Sequence, residues 1–214
     1  EEACVTWAGK ELSRPGTWTA SRSGALISDA QGRDHVTKIE LALDKDNDFV
    51  AIRTETLANM GAYLSTFAPS VPTYLHGTLM AGNYKTPNIY VNGKAVFTNP
   101  VPVDAYRGAG RPEASYQLER VIDKAARELG LDPIALRRQN FVTEFPYATP
   151  VAVEYDTGDY VATMDKLEEI ADLKGFAARR AESEERGMLR GLGLNCYIEA
   201  CGIAPSSLGG QTGP

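Results

Sequence analysis

The stretch Asp104-Ala105-Tyr106-Arg107-Gly108-Ala109-Gly110-Arg111-Pro112-Glu113 holds the residues best suited to chemistry: two arginines and two glycines share a short loop that runs into a helix. Glycine has no Cβ, so a backbone can pass close to a ligand there. Proline suits the first helical position, where its missing N–H costs nothing. The free N–H groups of a helix start favour negative charge. Loop and helix start therefore read as a cradle for an anionic ligand. The plainer reading of the same residues is a tight strand-to-helix turn with two solvated arginines. Position 113 is Glu, so the Gly-x-Gly-x-x-Gly fingerprint is not met and a nicotinamide-binding Rossmann unit fits poorly.

The remaining candidates are weaker. Tyr63, Phe67, Tyr74 and Tyr84 could line a substrate funnel, although aromatic side chains in loop-rich segments more often simply pack. His35 and His76 could carry protons, but a core or surface histidine is the expectation for both. Glu199 has a catalytic type of side chain and no sequence feature that lifts it above a surface carboxylate. Cys4, Cys196 and Cys201 make an odd count, which argues against a disulfide framework and for a reducing compartment. Cys196 and Cys201 lack zinc-finger spacing and are expected to be structural thiols. No Ser/His/Asp order or paired-carboxylate spacing stands out.

The elements that must position the loop follow from periodicity. With 214 residues and 43% hydrophobic content, the chain can build one good core or two small ones. Residues 3–12 read as a helix and Trp18 to Arg22 as a strand. His35 to Leu43 alternates, Asp44 to Asp48 is a polar turn, and Phe49 to Leu57 returns, which makes a hairpin. Asn59 to Tyr90 is loop-rich, with a short helix near Tyr74 to Met80. Ile89 to Asn99 reads as a strand that leads into the arginine loop. A helix over 112–129 carries Leu118, Val121, Ile122, Ala125 and Leu129 as its buried stripe and ends at Gly130. Asp132-Pro133 opens a second helix to about Asn140, with Arg137 and Arg138 on a solvated or inter-subunit face. Asp159 caps a helix from Tyr160 to Leu173 whose stripe is Val161, Met164, Leu167, Ile170 and Ala171. The charged run 179–186 is a helix with a solvated face, and Leu189 to Cys201 a strand. The net charge of -6 argues against a nucleic-acid partner. No apolar run approaches the roughly 20 residues of a transmembrane helix. Glu1-Glu2 is unlike the start of a secretory leader, so the expected location is the cytoplasm.

Ala105-Tyr106-Arg107-Gly108-Ala109-Gly110-Arg111 resembles the active-site loop of the molybdenum hydroxylases of the xanthine oxidase/aerobic carbon monoxide dehydrogenase family. More narrowly, it is similar to that of the form II large subunit. The likeness continues in order along the chain, through Ser28–His35, Asn59-Met60-Gly61-Ala62-Tyr63, Phe97-Thr98-Asn99, Glu119-Arg120, Asp132–Phe141 and Tyr155–Asp159. It implies an α+β fragment of the molybdopterin-binding region, with mixed sheets and flanking helices. One partial domain would span residues 1–155 and the start of another 156–214. It implies a molybdenum–pterin cofactor, in this branch as a cytosine dinucleotide. FAD and [2Fe–2S] clusters would sit on partner subunits, a flavin-binding medium subunit and an iron–sulfur small subunit, in a dimer of heterotrimers.

On that resemblance Arg107 is the catalytic arginine beside the metal, and Tyr106, Arg107, Gly108, Ala109, Gly110 and Arg111 bind the cofactor. Gly108 and Ala109 would offer N–H groups to the metal's oxygen ligands, Gly110 would let the chain turn, and Arg111 would tie the loop to the scaffold or to the cofactor. In the form I carbon monoxide dehydrogenases the position of Gly108 is a cysteine whose sulfur binds copper. Glycine has no sulfur. The implied reaction is therefore hydroxylation of an aldehyde or N-heterocycle with water as the oxygen source. The alternatives are carbon monoxide oxidation and a non-catalytic cofactor-binding or assembly module. The family's upstream Phe-Gly segment and its C-terminal catalytic glutamate are not found in this sequence.

Overall fold

A computed structural model describes residues 1–199. Its central feature is the hairpin written by alternation. β1 (His35–Leu43) pairs antiparallel with β2 (Phe49–Asn59), with Ile39 opposite Thr54 and Leu41 opposite Ile52. The turn has its own chemistry: the Asp44 carboxylate accepts the N–H groups of Asp46 and Asp48 at 2.9 and 3.0 Å, and Asn47 takes a left-handed conformation, φ 69°. β3 (Asn88–Val96) lies parallel to β2, from Ala51 opposite Asn88 to Asn59 opposite Val96. The sheet order β1-β2-β3 is therefore mixed, as expected of the α+β class. Parallel pairing demands a long crossover. Residues 60–87 supply it through a 3-10 turn at Ala68–Ser70 and a π-helical turn at Val71–Leu75. The helical turn thus begins earlier than the predicted Tyr74–Met80, because Pro72 sits in its first turn, where a missing N–H is harmless.

Helix α3 (Arg111–Leu129) packs on this sheet and ends on a left-handed Gly130, as predicted. Leu118 and Ile122 are buried, in one core with Phe49, Ile52, Met80, Tyr84, Leu136 and Phe141. Tyr84 bridges two rings, 5.4 Å from Phe49 and 5.7 Å from Phe141 between centroids. The predicted stripe is right at its centre and wrong at its end, since Leu129 is exposed. Three polar residues of α3 are buried instead: Glu113, Gln117 and Glu119.

Glu119 explains the largest departure from the sequence reading. Helix α4 (Pro133–Asn140), capped by Asp132 as predicted, aims Arg137 at α3 rather than at solvent. Arg137 is fully buried. Its Nε donates to Glu119 Oε2 at 2.9 Å, one Nη to Asp123 at 2.7 Å and the other to the Pro133 carbonyl at 3.0 Å. Tyr84 donates to Glu119 Oε1 at 2.5 Å, and the Cys196 N–H to Oε2 at 3.0 Å. Burial alone lowers the guanidinium's proton affinity, but Glu119, Tyr84 and Asp123 outweigh it, so Arg137 stays charged. Burial, helped by Glu119, pushes the Cys196 thiol up to about 11 and keeps it an inert thiol. Cys201 lies outside the described residues. Arg138 is only partly covered and pairs with Asp165 at 2.5 Å and Glu168 at 2.6 Å.

Other elements are adjusted. α1 (Glu2–Leu12) is as predicted. Trp18 to Arg22 is not a strand: it has no partner strand, and Ser21 caps α2 (Arg22–Ser28) by accepting the Gly24 N–H at 3.1 Å. Residues 145–157 contain the two-residue pair β4 (Tyr147–Ala148) and β5 (Glu154–Tyr155). α5 (Tyr160–Ile170) ends three residues early because Asp172, in a left-handed conformation, caps the turn Leu173–Gly175. Of its predicted stripe, Met164 is buried and Ile170 is exposed. α6 (Phe176–Glu185) covers the charged run, with Arg180 and Glu184 paired on its surface. Residues 188–199 form no strand; their Cys196 N–H goes to a side chain rather than to a ladder.

A polar layer separates the start of α3 from the sheet. His76 Nε2 donates to Gln117 Oε1 at 3.1 Å, and Gln117 Nε2 donates to Thr37 Oγ1 at 3.1 Å. The His35 ring meets His76 edge-on at 6.0 Å. His76 is thus a core histidine. Burial holds both imidazoles below their ordinary 6.5, against the opposing pull of Glu113 on His35 and of the Gln117 hydrogen bond on His76.

Two stability predictions follow from this core. Arg137→Met leaves the Glu119 carboxylate buried without its partner and should destabilise the protein by about 3–5 kcal/mol, read as a fall in the urea midpoint. The unfolded chain protonates its histidines near 6.5, whereas the folded chain does so only at lower pH. The contribution of His35 and His76 is therefore present above about pH 6.5 and lost as pH falls through that value. The urea midpoint should drop between pH 7.5 and 5.5, and less steeply in His76→Gln.

Candidate functional site

The arginine loop is placed by two neighbouring backbones. Before it, residues 102–104 run beside Gln31: Gln31 N–H donates to the Pro102 carbonyl at 3.0 Å, and Asp104 N–H to the Gln31 carbonyl at 2.8 Å. The Asp104 carboxylate then accepts the Ala105 N–H at 2.7 Å and the Ser65 hydroxyl. After the loop, α3 begins with Pro112 in its first turn, as the sequence predicts.

The loop itself is a tight turn, closed by the Ala109 N–H donating to the Tyr106 carbonyl at 2.9 Å. Gly108 and Gly110 have φ of 95° and 90°, a region that L side chains rarely enter. A Cβ on Gly110 would fall 2.7 Å from the His76 nitrogen and 2.8 Å from the Leu75 carbonyl carbon. A Cβ on Gly108 would crowd the Pro112 ring at 3.0 Å. Ala109 is also left-handed, φ 34°.

Three successive carbonyls of the loop are captured by arginines. Arg33 donates to the carbonyls of Tyr106, at 3.1 Å, and Arg107, and its guanidinium lies over the Tyr106 ring at 5.1 Å. Arg111 donates to the Gly108 carbonyl at 3.3 Å. Each clamp has a carboxylate behind it: Glu113 lies 3.9 Å from Arg33, and Glu199 lies 2.7 Å from Arg111. The Arg107 side chain is exposed, without an ion-pair partner among the described residues. The Gly108 N–H likewise has no acceptor among them, whereas the Ala109 N–H serves the turn. Beside the first turn of α3, a cavity of about 520 Å³ opens where Arg33, His35, Glu113 and Arg120 converge.

Of the residues predicted from sequence, the structure gathers Tyr106 to Arg111 on one turn. It does not gather the aromatic funnel: Tyr63 and Tyr74 are exposed, and Tyr84 is a core residue bonded to Glu119. Glu199 is more than a surface carboxylate, since it holds Arg111. Arg33 is the residue that sequence reasoning passed over. Its signal is Gly32 before it: a Cβ there would meet Tyr106 Cβ at 3.2 Å, so glycine at 32 permits the close approach.

The chain is similar in sequence and in fold to known proteins. The chain is 30% identical over 217 residues to the 6-hydroxypseudooxynicotine dehydrogenase complex subunit gamma of Paenarthrobacter nicotinovorans, covering 98% of this chain and 27% of that one. It is 32% identical over 214 residues to the carbon monoxide dehydrogenase large chain of Hydrogenophaga pseudoflava, covering 96% and 26%. Its fold matches quinoline 2-oxidoreductase from Pseudomonas putida 86 with a TM-score of 0.76 at 31% identity, covering 87% of this chain and 24% of that one. The chain thus spans about a quarter of the length of these relatives. The profile of the molybdopterin cofactor-binding domain matches residues 1–141, arginine loop included, and by that match this chain belongs to the molybdopterin cofactor-binding domain family.

Proposed function

We propose that this chain is part of the large subunit of a molybdenum hydroxylase and that Tyr106–Arg111 faces its molybdenum–pterin cofactor, a cytosine dinucleotide form. The observation that carries this reading is the loop itself, inside the matched family region. It presents an exposed guanidinium without an ion-pair partner among the described residues, next to a glycine N–H that none of them accepts. The residues fit such a group. Gly108 has no Cβ in the way, and its N–H and the Arg107 guanidinium suit an anionic oxygen. When bound, the cofactor supplies a two-electron oxidation that inserts oxygen from water into a substrate C–H bond.

The chain's own residues bind and orient. Arg107 stabilises negative charge that develops on the substrate oxygen, as a fixed donor that need not reorganise. Gly108 offers its N–H beside it. Gly110 keeps the turn against the 71–77 segment, and Arg111 and Tyr106 hold the loop on the scaffold. In this reading the electrons leave through [2Fe–2S] and FAD on partner subunits, in a cytoplasmic dimer of heterotrimers. We divide the chain near residue 155; the family match ending at residue 141 supports a boundary after it.

The substrate class we favour is an N-heterocycle or aldehyde. The relative named for quinoline supports the former. Position 108 supports a site without copper. Glycine offers no sulfur, and its φ of 95° together with the 3.0 Å approach of Pro112 disfavours a cysteine there. Carbon monoxide oxidation is the second reading, favoured by the likeness to the carbon monoxide dehydrogenase large chain. Dye reduction by the intact complex, offered N-heterocycles, aldehydes and carbon monoxide in parallel, separates the two. We expect turnover of a heterocycle or aldehyde and none of carbon monoxide; rapid carbon monoxide turnover would reverse the assignment. Arg107→Met should lower kcat by about 100-fold or more at unchanged molybdenum content.

A further inference from the structure

We propose that Arg33, backed by Glu113, is a positioning residue for the reaction: it sets the two peptide planes that aim the Arg107 and Gly108 N–H groups and the Arg107 side chain. This rests on the reading of the loop given above.

The argument is geometric. A trans peptide is planar, with its C=O and the following N–H pointing in opposite directions. Arg33 draws the carbonyls of Tyr106 and Arg107 to one guanidinium. The N–H groups of Arg107 and Gly108 must then point to the other side of the loop. Two consecutive planes held in this way also fix the Cα of Arg107 between them, and so the direction in which its side chain leaves. Glycine at 108 has no side chain to limit its rotation, so the turn bond from the Ala109 N–H to the Tyr106 carbonyl is reinforced by the clamp of Arg33 from outside the loop.

Arg33 is itself held on several sides. Its Nε faces the buried Glu113 carboxylate, and its guanidinium lies on the Tyr106 ring. Its backbone is left-handed, φ 64°, which an arginine keeps only where the surroundings determine it. They do: Gln31 is bonded to residues 102 and 104, and the Asp34 carbonyl accepts the Asn59 N–H at 2.9 Å. A lysine would keep the charge but not the planar fork. Arg33 is not among the residues of the hydrophobic core, so its loss should be felt in the loop before it is felt in global stability.

The test uses the intact multi-subunit enzyme carrying Arg33→Met, Arg33→Lys or Arg107→Met. The readouts are kcat, KM, molybdenum content, thermal midpoint and amide hydrogen exchange of the 104–111 peptide. For Arg33→Met we expect kcat to fall by about 10- to 100-fold with KM little changed. Exchange in 104–111 should rise while β2 is unaffected, metal content should stay near that of the parent, and the midpoint should fall only modestly, because Glu113 loses a 3.9 Å contact rather than a hydrogen-bonded pair. Arg33→Lys should follow Arg33→Met rather than the parent. Unchanged kcat and exchange in both Arg33 variants would overturn the inference, as would a rate loss that merely tracks lost metal and a lowered midpoint. If Arg107→Met is slow while the Arg33 variants are normal, the positioning role alone falls. If Arg107→Met turns over normally, the reading of the loop as the reaction site falls and takes this inference with it.

Discussion

The structure depends on one carboxylate. Glu119 lies inside α3 and meets a hydroxyl from the crossover, a guanidinium from α4 and a backbone N–H from the 188–199 segment. Four parts of the chain, remote in sequence, are thereby fixed at one point. A buried ion pair of this kind adds little net stability over an apolar contact, but it allows only one arrangement. The hydrophobic core around Leu118 and Ile122 could tolerate small rotations of α3 about its axis; a carboxylate with three donors cannot. The azimuth of α3 is thus set by polar geometry, and the arginine loop begins where that helix begins.

The loop extends the same logic to a cationic locus in an acidic protein. Three guanidinium groups, those of Arg33, Arg107 and Arg111, lie within one turn of backbone and its neighbour, in a chain of net charge -6. Two of them are neutralised locally, by Glu113 and Glu199, and engaged with carbonyls. That leaves Arg107, exposed and without an ion-pair partner among the described residues. The loop separates arginines that hold its backbone from one that faces outward, which would be hard to arrange on a surface where every cation had a carboxylate of its own.

Much of this was legible in the sequence. Alternation at 35–57 gave the hairpin, and Asp132-Pro133 and Asp159 gave helix starts confirmed by their cap bonds. The loop was recognisable because glycine and arginine types suffice to mark it. What could not be read lay between elements. Arg137 looked solvated because its partners are 14 and 18 residues away, although Glu119 and Asp123, four apart, do share a face of α3. Trp18 to Arg22 and residues 189–199 have strand-like composition but no neighbour to pair with among the described residues, and strand propensity is realised only in a ladder. Arg33 was hidden for the same reason: its role exists only across the 73 residues that separate it from Tyr106.

The contact between Gly110 and the backbone at Leu75–His76 has a consequence for descent. Backbone against backbone leaves no side chain to trim, so neither segment can accommodate a change in the other by a single substitution. The loop's path and the crossover's π-helical turn are inherited as one unit. A substitution that is tolerated in either segment must then leave this contact alone. What descent can alter here is the side chains around the contact, while the backbone path that carries Arg107 stays where it was.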